Sequence, residues 1–458
     1  MTLFKTKYIK PIGIVNKLFR LIGDKDLQNT ALNHGFKLIS GPLLVLLIPF
    51  FISNIVQGYW FSFISVSALS ILADLGFTII ILQFSAHEFA FLRIENEIIV
   101  PLDKDLNIHL NKLAALLKFS LGWLKKIIFI AFPIILLIGI WLFHSKNNYV
   151  SWEVPWIIYT LGAALTFFNS VLLSLMEGCN NVSLTQRIRF YNSVIYFLIL
   201  FPLLILHTNL FALAFAILIS SILTLVIIYF KFKFVLKQLW NLSKEYSYDW
   251  TAEFWGFFKK YSFSVASGFI VVQIFTPLSF KYYGAIEAGK VGLTMSLSTA
   301  IFSIANVWFQ AIAPKVNMLT SQKKWVTLNK LIIERLIMAI FTYVFIFLIF
   351  GLIFISLNQS AYSNIINRFL PAFGILIISL NWLIQLPMYT MAFYLRAHMK
   401  EPYLYLSILN AIGIVLLTFL TVNFLPYQYI FIGLLLTTII SFPFAYLIFR
   451  KKRIAWCI

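Results

Sequence analysis

Twelve apolar runs, each close to the length that crosses a bilayer, dominate this chain of 458 residues. They fall at approximately 38–54, 61–84, 126–143, 154–176, 190–208, 210–230, 262–280, 291–312, 332–357, 370–394, 403–424 and 428–449. A hydrocarbon core of roughly 30 Å takes about 20 apolar residues per helix. Inside it the backbone must satisfy its own hydrogen bonds, which helices do. Hydrophobic residues make up 61% of the chain and charged ones 11%, less than half the roughly 25% of a soluble domain. The expected fold class is an all-α integral membrane protein of about twelve transmembrane helices.

The basic residues orient those spans. With the N-terminus inside, 32 of the 36 Lys and Arg fall on one side, and Lys146, Lys281, Lys290 and Arg368 on the other. Such a bias is what the positive-inside rule requires of an N-in, C-in protein. The net charge of +20 is therefore topological and calls for no nucleic acid. Residues 8–22 set Ile12, Val15, Leu18, Phe19 and Ile22 at helical spacing among basic residues. This predicts an amphipathic surface segment within 1–37. A linker helix is expected over 231–261, where Trp250, Phe254, Phe257 and Tyr261 share a helical face, and a basic tail over 450–458.

Several chemistries drop out. Ala288-Gly289-Lys290-Val291 lacks the Ser or Thr of a phosphate loop, so no ATP hydrolysis is expected. Cys179 and Cys457 have no CxxC partner. The six histidines have no nucleophile at recognisable spacing. The external acids are Glu153 and Glu287, and the longest external loops, about 144–153 and 358–369, are short. A membrane glycosyltransferase or polymerase is therefore disfavoured, and the chain is not expected to be an enzyme.

The midpoint near residue 245 divides the chain into six-span halves, 38–230 and 262–449. Pro49, Gly58 and a Ser-rich span holding Asp74 in the first half correspond to Pro277, Gly289 and a Ser-rich span holding Asn306 in the second. Leu175–Asn180 likewise corresponds to Leu395–Pro402. An even number of spans makes the halves parallel repeats. At Gly58-Tyr59-Trp60, Ala73-Asp74-Leu75-Gly76-Phe77, Leu175–Asn180, Gly284–Lys315 and Leu395–Pro402 the chain resembles the O-antigen flippases. These belong to the multidrug/oligosaccharidyl-lipid/polysaccharide (MOP) exporter superfamily. The resemblance implies two MATE-like six-helix bundles that face a central cavity and open alternately to each side. It implies a bacterial inner-membrane flippase of an undecaprenyl-diphosphate-linked oligosaccharide, with a polysaccharide polymerase and a chain-length regulator as partners. A multidrug antiporter is the alternative on the same fold. The first span, 38–54, carries no charge, whereas lipid-precursor flippases of the superfamily have a cationic cluster there.

Such a transporter needs polar groups inside an apolar bundle, where isolated charge is costly. Asp74 is the carboxylate deepest in a span and the candidate site for a coupling Na⁺ or H⁺; no other cofactor or metal is expected. Lys281 is the best placed outward cation for a diphosphate, while Lys37, Lys118 and Arg93 suit an inner entrance or anionic lipid headgroups. Asn306, Gln310, Asn381 and Gln385 could bond sugar hydroxyls, with Trp308 or Trp382 stacking on a ring; for a single amide, a helix-to-helix bond is the commoner use. Pro49 and Pro277 are candidate hinges, because a missing N–H loosens a helix. Replacing both with Ala is expected to reduce transport at unchanged membrane abundance, measured by uptake or surface-polymer assays alongside immunoblots.

Overall fold

The computed structural model describes residues 25–456 except 146–149, 311, 313, 314, 317, 318, 321, 359–362 and 399–401. The amphipathic segment expected at 8–22, Lys146 and Pro314 lie outside the described residues. The first half comprises α1 (Lys25–Phe51), α2 (Asn54–Ser67), α3 (Ser70–Asp74), α4 (Phe77–Phe89), a hairpin β1 (Leu92–Glu95) and β2 (Ile98–Pro101), α5 (Asn107–His144), α6 (Glu153–Gly178), α7 (Val182–Ile205) and α8 (Leu210–Glu245). The second half comprises α9 (Thr251–Gln273), α10 (Phe275–Tyr283), α11 (Ala285–Ala305), α12 (Val307–Gln310), α13 (Trp325–Asn358), α14 (Ser363–Ile366), α15 (Ala372–Arg396), α16 (Leu404–Phe424) and α17 (Ile432–Trp456).

Among the described residues eleven helices are long and apolar enough to cross a membrane. The segment expected as the seventh span is built from the end of α9 and from α10, which meet at Ile274. Surface chemistry agrees with a lipid environment: Phe129 and Phe341 are each 70% exposed and Leu352 69%. On α13 the exposed Ile333, Ile337, Phe341, Phe345, Leu348 and Leu352 recur every three or four residues, an apolar stripe that water would not tolerate.

Four local features depart from the sequence reading. First, α1 begins at Lys25, so the polar stretch before residue 38 is helical and carries His34 and Lys37 into the bundle. Second, the second span is broken. Leu75 and Gly76 take left-handed φ values of 42° and 87°, so the chain turns between α3 and α4; a side chain at such a φ is costly and glycine tolerates it. Third, the loop after that span forms the β1–β2 hairpin in register Leu92 to Pro101. Its two turn residues, Asn96 and Glu97, both have positive φ, as a tight hairpin turn requires. Fourth, residues 231–261, expected as a separate linker helix, are divided between the end of α8, a short connection and the start of α9.

Helix pairing repeats between the halves. The first span packs on the fifth in both (α1 with α7, α9 with α16), the fourth on the sixth (α6 with α8, α15 with α17), and the fifth on the sixth (α7 with α8, α16 with α17). Between halves the most extensive packing is α2 against α11. Glycines permit it. A Cβ on Gly58 would collide with the Ala285 carbonyl, and one on Gly289 would sit 3.0 Å from the Gly58 nitrogen. This is small-residue packing, in which close backbone approach replaces the hydrophobic effect that lipid does not supply. Gly351, in contrast, faces open space. We expect Gly58→Ala to lower the thermal unfolding midpoint of the purified protein, by about 1–3 kcal/mol of overpacking, while Gly351→Ala leaves it unchanged or raises it.

Candidate functional site

Between the halves lies a cavity of about 430 Å³. One wall is α1, which contributes His34, Lys37, Leu38, Gly41, Pro42 and Val45 at spacings of three and four, hence one helical face. Opposite, α11 contributes Gly292, Met295, Ser296, Thr299, Ala300 and Ser303 with the same periodicity. Phe61 and Ser65 of α2, with Gln273 and Thr276 where α9 meets α10, complete it. The lining runs from Phe61 and Gly292 near mid-helix to His34, Lys37 and Gln310 at the end rich in lysine and arginine, where these three side chains are exposed.

At the opposite end the halves are sealed. Gln57 Nε2 donates to the Gly289 carbonyl at 3.0 Å and to the Arg368 carbonyl at 3.2 Å. The Arg368 guanidinium donates in turn to the Ile52 carbonyl, while within the second half the Leu370 amide donates to Thr294 Oγ1 at 3.0 Å. The Tyr59 and Phe280 rings meet edge-on at 4.9 Å beside this seam. The cavity therefore opens toward the basic end and is shut at the other.

Its chemistry is one-sided. No carboxylate is among the described lining residues, whose ionisable side chains are Lys37 and His34. Arg189 lies close enough to Lys37 to repel it, and is held by Glu177 at 2.8 Å. Asn33 Nδ2 donates to Gln186 Oε1 at 2.8 Å and Gln186 Nε2 to Glu177 Oε1 at 2.9 Å, so the basic ends of α1, α6 and α7 are tied together beneath the cation. On α11, Thr299 Oγ1 donates to the Met295 carbonyl at 2.7 Å and Ser303 Oγ to the Thr299 carbonyl at 2.8 Å. With their protons used on the backbone, these hydroxyls offer lone pairs to donors in the cavity.

The expected site residues are scattered. Gln310 lines the cavity. Trp308 does not: its Nε1 donates to Thr342 Oγ1 of α13 at 2.9 Å. Asn381 and Gln385 both meet Thr438, at 2.7 and 3.3 Å, and hold α15 to α17, while Asn306 is buried at the end of α11. Lys281 lies outside this cavity, its Nζ 3.9 Å above the Trp141 ring. Asp74 also lies outside; the Thr78 amide and hydroxyl each donate to one of its oxygens at 3.0 Å, which braces the Leu75–Gly76 turn. Pro49 is inside α1, and Pro277 is in the first turn of α10, where it can return no N–H to Gln273 beside the break at Ile274.

Of the three candidate entrance cations, Lys37 reaches the cavity. Lys118 donates to the Ser243 carbonyl and Arg93 pairs with Glu95. The buried Glu88, 2.7 Å from His109 Nδ1, escaped the sequence reading because it ends its span; it packs the basic end of the first half. The hydroxyl stripe on α11 was visible as a Ser-rich span, but not the face it shares.

The sequence matches no known family description and no curated protein. Solved structures do match. One is the inward-facing conformation of a multidrug resistance MATE family transporter of the MOP superfamily, 16% identical, covering 91% of this chain and 98% of that one at a TM-score of 0.54. A mutant of the Vibrio cholerae MATE transporter VcmN is 12% identical, covering 94% and 97% at 0.51. A MATE structure in the straight conformation is 15% identical, covering 94% and 97% at 0.52. The chain has the fold of the MATE transporters. All three match more than nine-tenths of this chain, so the likeness of fold extends over both halves.

The Asp74 contacts give a quantitative expectation. Thr78→Ala removes one of the two bonds that brace the turn, and should cost about 1 kcal/mol, as losing a helix cap does. Asp74→Asn should cost a similar amount. The double variant should cost less than the sum, read from thermal unfolding of the purified protein.

Proposed function

We propose that this protein is a flippase of an undecaprenyl-diphosphate-linked oligosaccharide, carrying one repeat unit from the cytoplasmic to the outer leaflet of a bacterial inner membrane by alternating access. The observation that carries the reading is the cavity lining. Its ionisable groups, Lys37 and His34, suit an anion, and no acid among the described lining residues would hold a cationic drug. The diphosphate is assigned to the α1 wall, where Lys37 can form charge-assisted hydrogen bonds. The sugars are assigned to the α11 wall, where Ser296, Thr299 and Ser303 accept from hydroxyl donors. The basic end is cytoplasmic in this reading, so a cavity open there and shut at the far end corresponds to a state awaiting cargo from inside.

Reorganisation would break the Gln57 and Arg368 bonds of the outer seam and close α1 onto α11. Asp74 is half-buried, and no cation among the described residues pairs with it. A proton or Na⁺ is the partner proposed to compensate it, so that uptake of that ion drives the cycle. A polymerase and a chain-length regulator would consume the flipped unit. The fold's multidrug representatives supply the alternative, a drug antiporter, for which a cationic cavity is a poor host.

The test is mass spectrometry of polyprenyl-diphosphate oligosaccharides in a deletion strain, with a surface-polysaccharide gel. Complete repeat units should accumulate, surface polymer should vanish, and the wild-type gene but not Lys37→Glu should reverse both. Normal lipid-linked pools with altered drug sensitivity would instead assign the protein to drug export.

A further inference from the structure

A second cavity, of about 400 Å³, lies beside the first on the flank where α2 and α5 meet α9, α10 and α16. It differs in chemistry. Val66, Leu69, Leu72, Leu142, Leu278 and Phe419 dominate its walls. Its exposed apolar lining residues, Ile138 and Trp141 of α5 and Phe419 of α16, are 38%, 60% and 51% exposed, so the chamber borders the lipid-facing surface. Lys281 bounds it through its contact with Trp141. Two side chains, Ser65 of α2 and Gln273 of α9, line both cavities. A polar chamber with a cationic wall and an apolar chamber open to the membrane thus share one polar seam.

We propose that the apolar chamber seats the headgroup-proximal part of the hydrocarbon chain of the same lipid whose headgroup occupies the polar cavity, the chain crossing between α2 and α9 at Ser65 and Gln273. The inference rests on the flippase reading above. The occupant follows from the juxtaposition. A molecule that fills both chambers must carry an anionic, hydroxyl-rich end and a long apolar one, joined within the width of a single side-chain pair. A water-soluble sugar would leave the second chamber empty, and a compact apolar drug would leave the first unmatched. The break between α9 and α10 at Ile274, beside Gln273, falls at the crossing itself. Opening of the seam would then let the chain stay in lipid while the headgroup moves.

The test uses the full-length protein in nanodiscs and a polyprenyl diphosphate bearing a photoreactive benzophenone on its chain. Peptide mapping should place the adducts on Leu69–Leu72, Ile138–Leu142 or Pro277–Tyr282. An excess of unlabelled polyprenyl diphosphate should displace them and phosphatidylglycerol should not. Filling the chamber with Leu69→Trp, or independently from the other wall with Leu278→Trp, should cut labelling at least about tenfold, the effect of keeping two or more methylenes from burial. Displacement by phosphatidylglycerol would make the chamber a general bilayer-lipid site and overturn the proposal. Adducts elsewhere that vanish in Lys37→Glu would overturn the chain site and leave the flippase reading standing. Labelling that neither competitor nor Lys37→Glu affects would overturn both.

Discussion

Everything in the cavity depends on how closely α2 and α11 approach at Gly58 and Gly289. In lipid, two helices gain nothing from hiding apolar surface from each other, so close backbone packing and a few buried hydrogen bonds must hold them. The missing side chains provide the first, and Gln57, reaching across to the Gly289 carbonyl, provides the second. These contacts lie at one end of the two helices, and beyond them the faces of α1 and α11 that carry Lys37 and Thr299 line the cavity. The cavity is the geometric complement of the seam.

That dependence explains the division between what the sequence made legible and what it hid. Apolar runs mark the spans, and the bias of lysine and arginine gives them an expected direction, because both are one-dimensional signals. The start of α1 was missed because Asn29, Asn33, His34 and Lys37 depress local hydropathy, although they remain helical by packing on α7 through Asn29–Ser183 and Asn33–Gln186 contacts. The uncharged first span was thus a matter of boundary, and the structure restores Lys37 to that helix. The hairpin at 92–101 was too short to register as strands.

Site residues were harder because chemistry in a bundle depends on azimuth. Asn381 and Trp308 have suitable side chains at plausible depth, yet one faces α17 and the other α13. Gln310 and Lys37 differ from them in direction, which composition does not encode without knowing which helices are neighbours. The stripe from Gly292 to Ser303 carries a faint trace of that direction in its three- and four-residue spacing.

The hairpin that the sequence concealed has a mechanical meaning. Gln238 of α8 donates to the Ile99 carbonyl at 2.7 Å and accepts from the Ile99 amide at 2.8 Å, completing a rung beside β2 as a third strand would. This splint ties the far end of α8 to the strand joining α4 and α5, so the first half is stiff where it meets the basic face. In the second half the seventh span is interrupted at Ile274. In the first, a load on α8 would pass through Gln238 and the hairpin to the ends of α4 and α5, so that this corner moves as one piece.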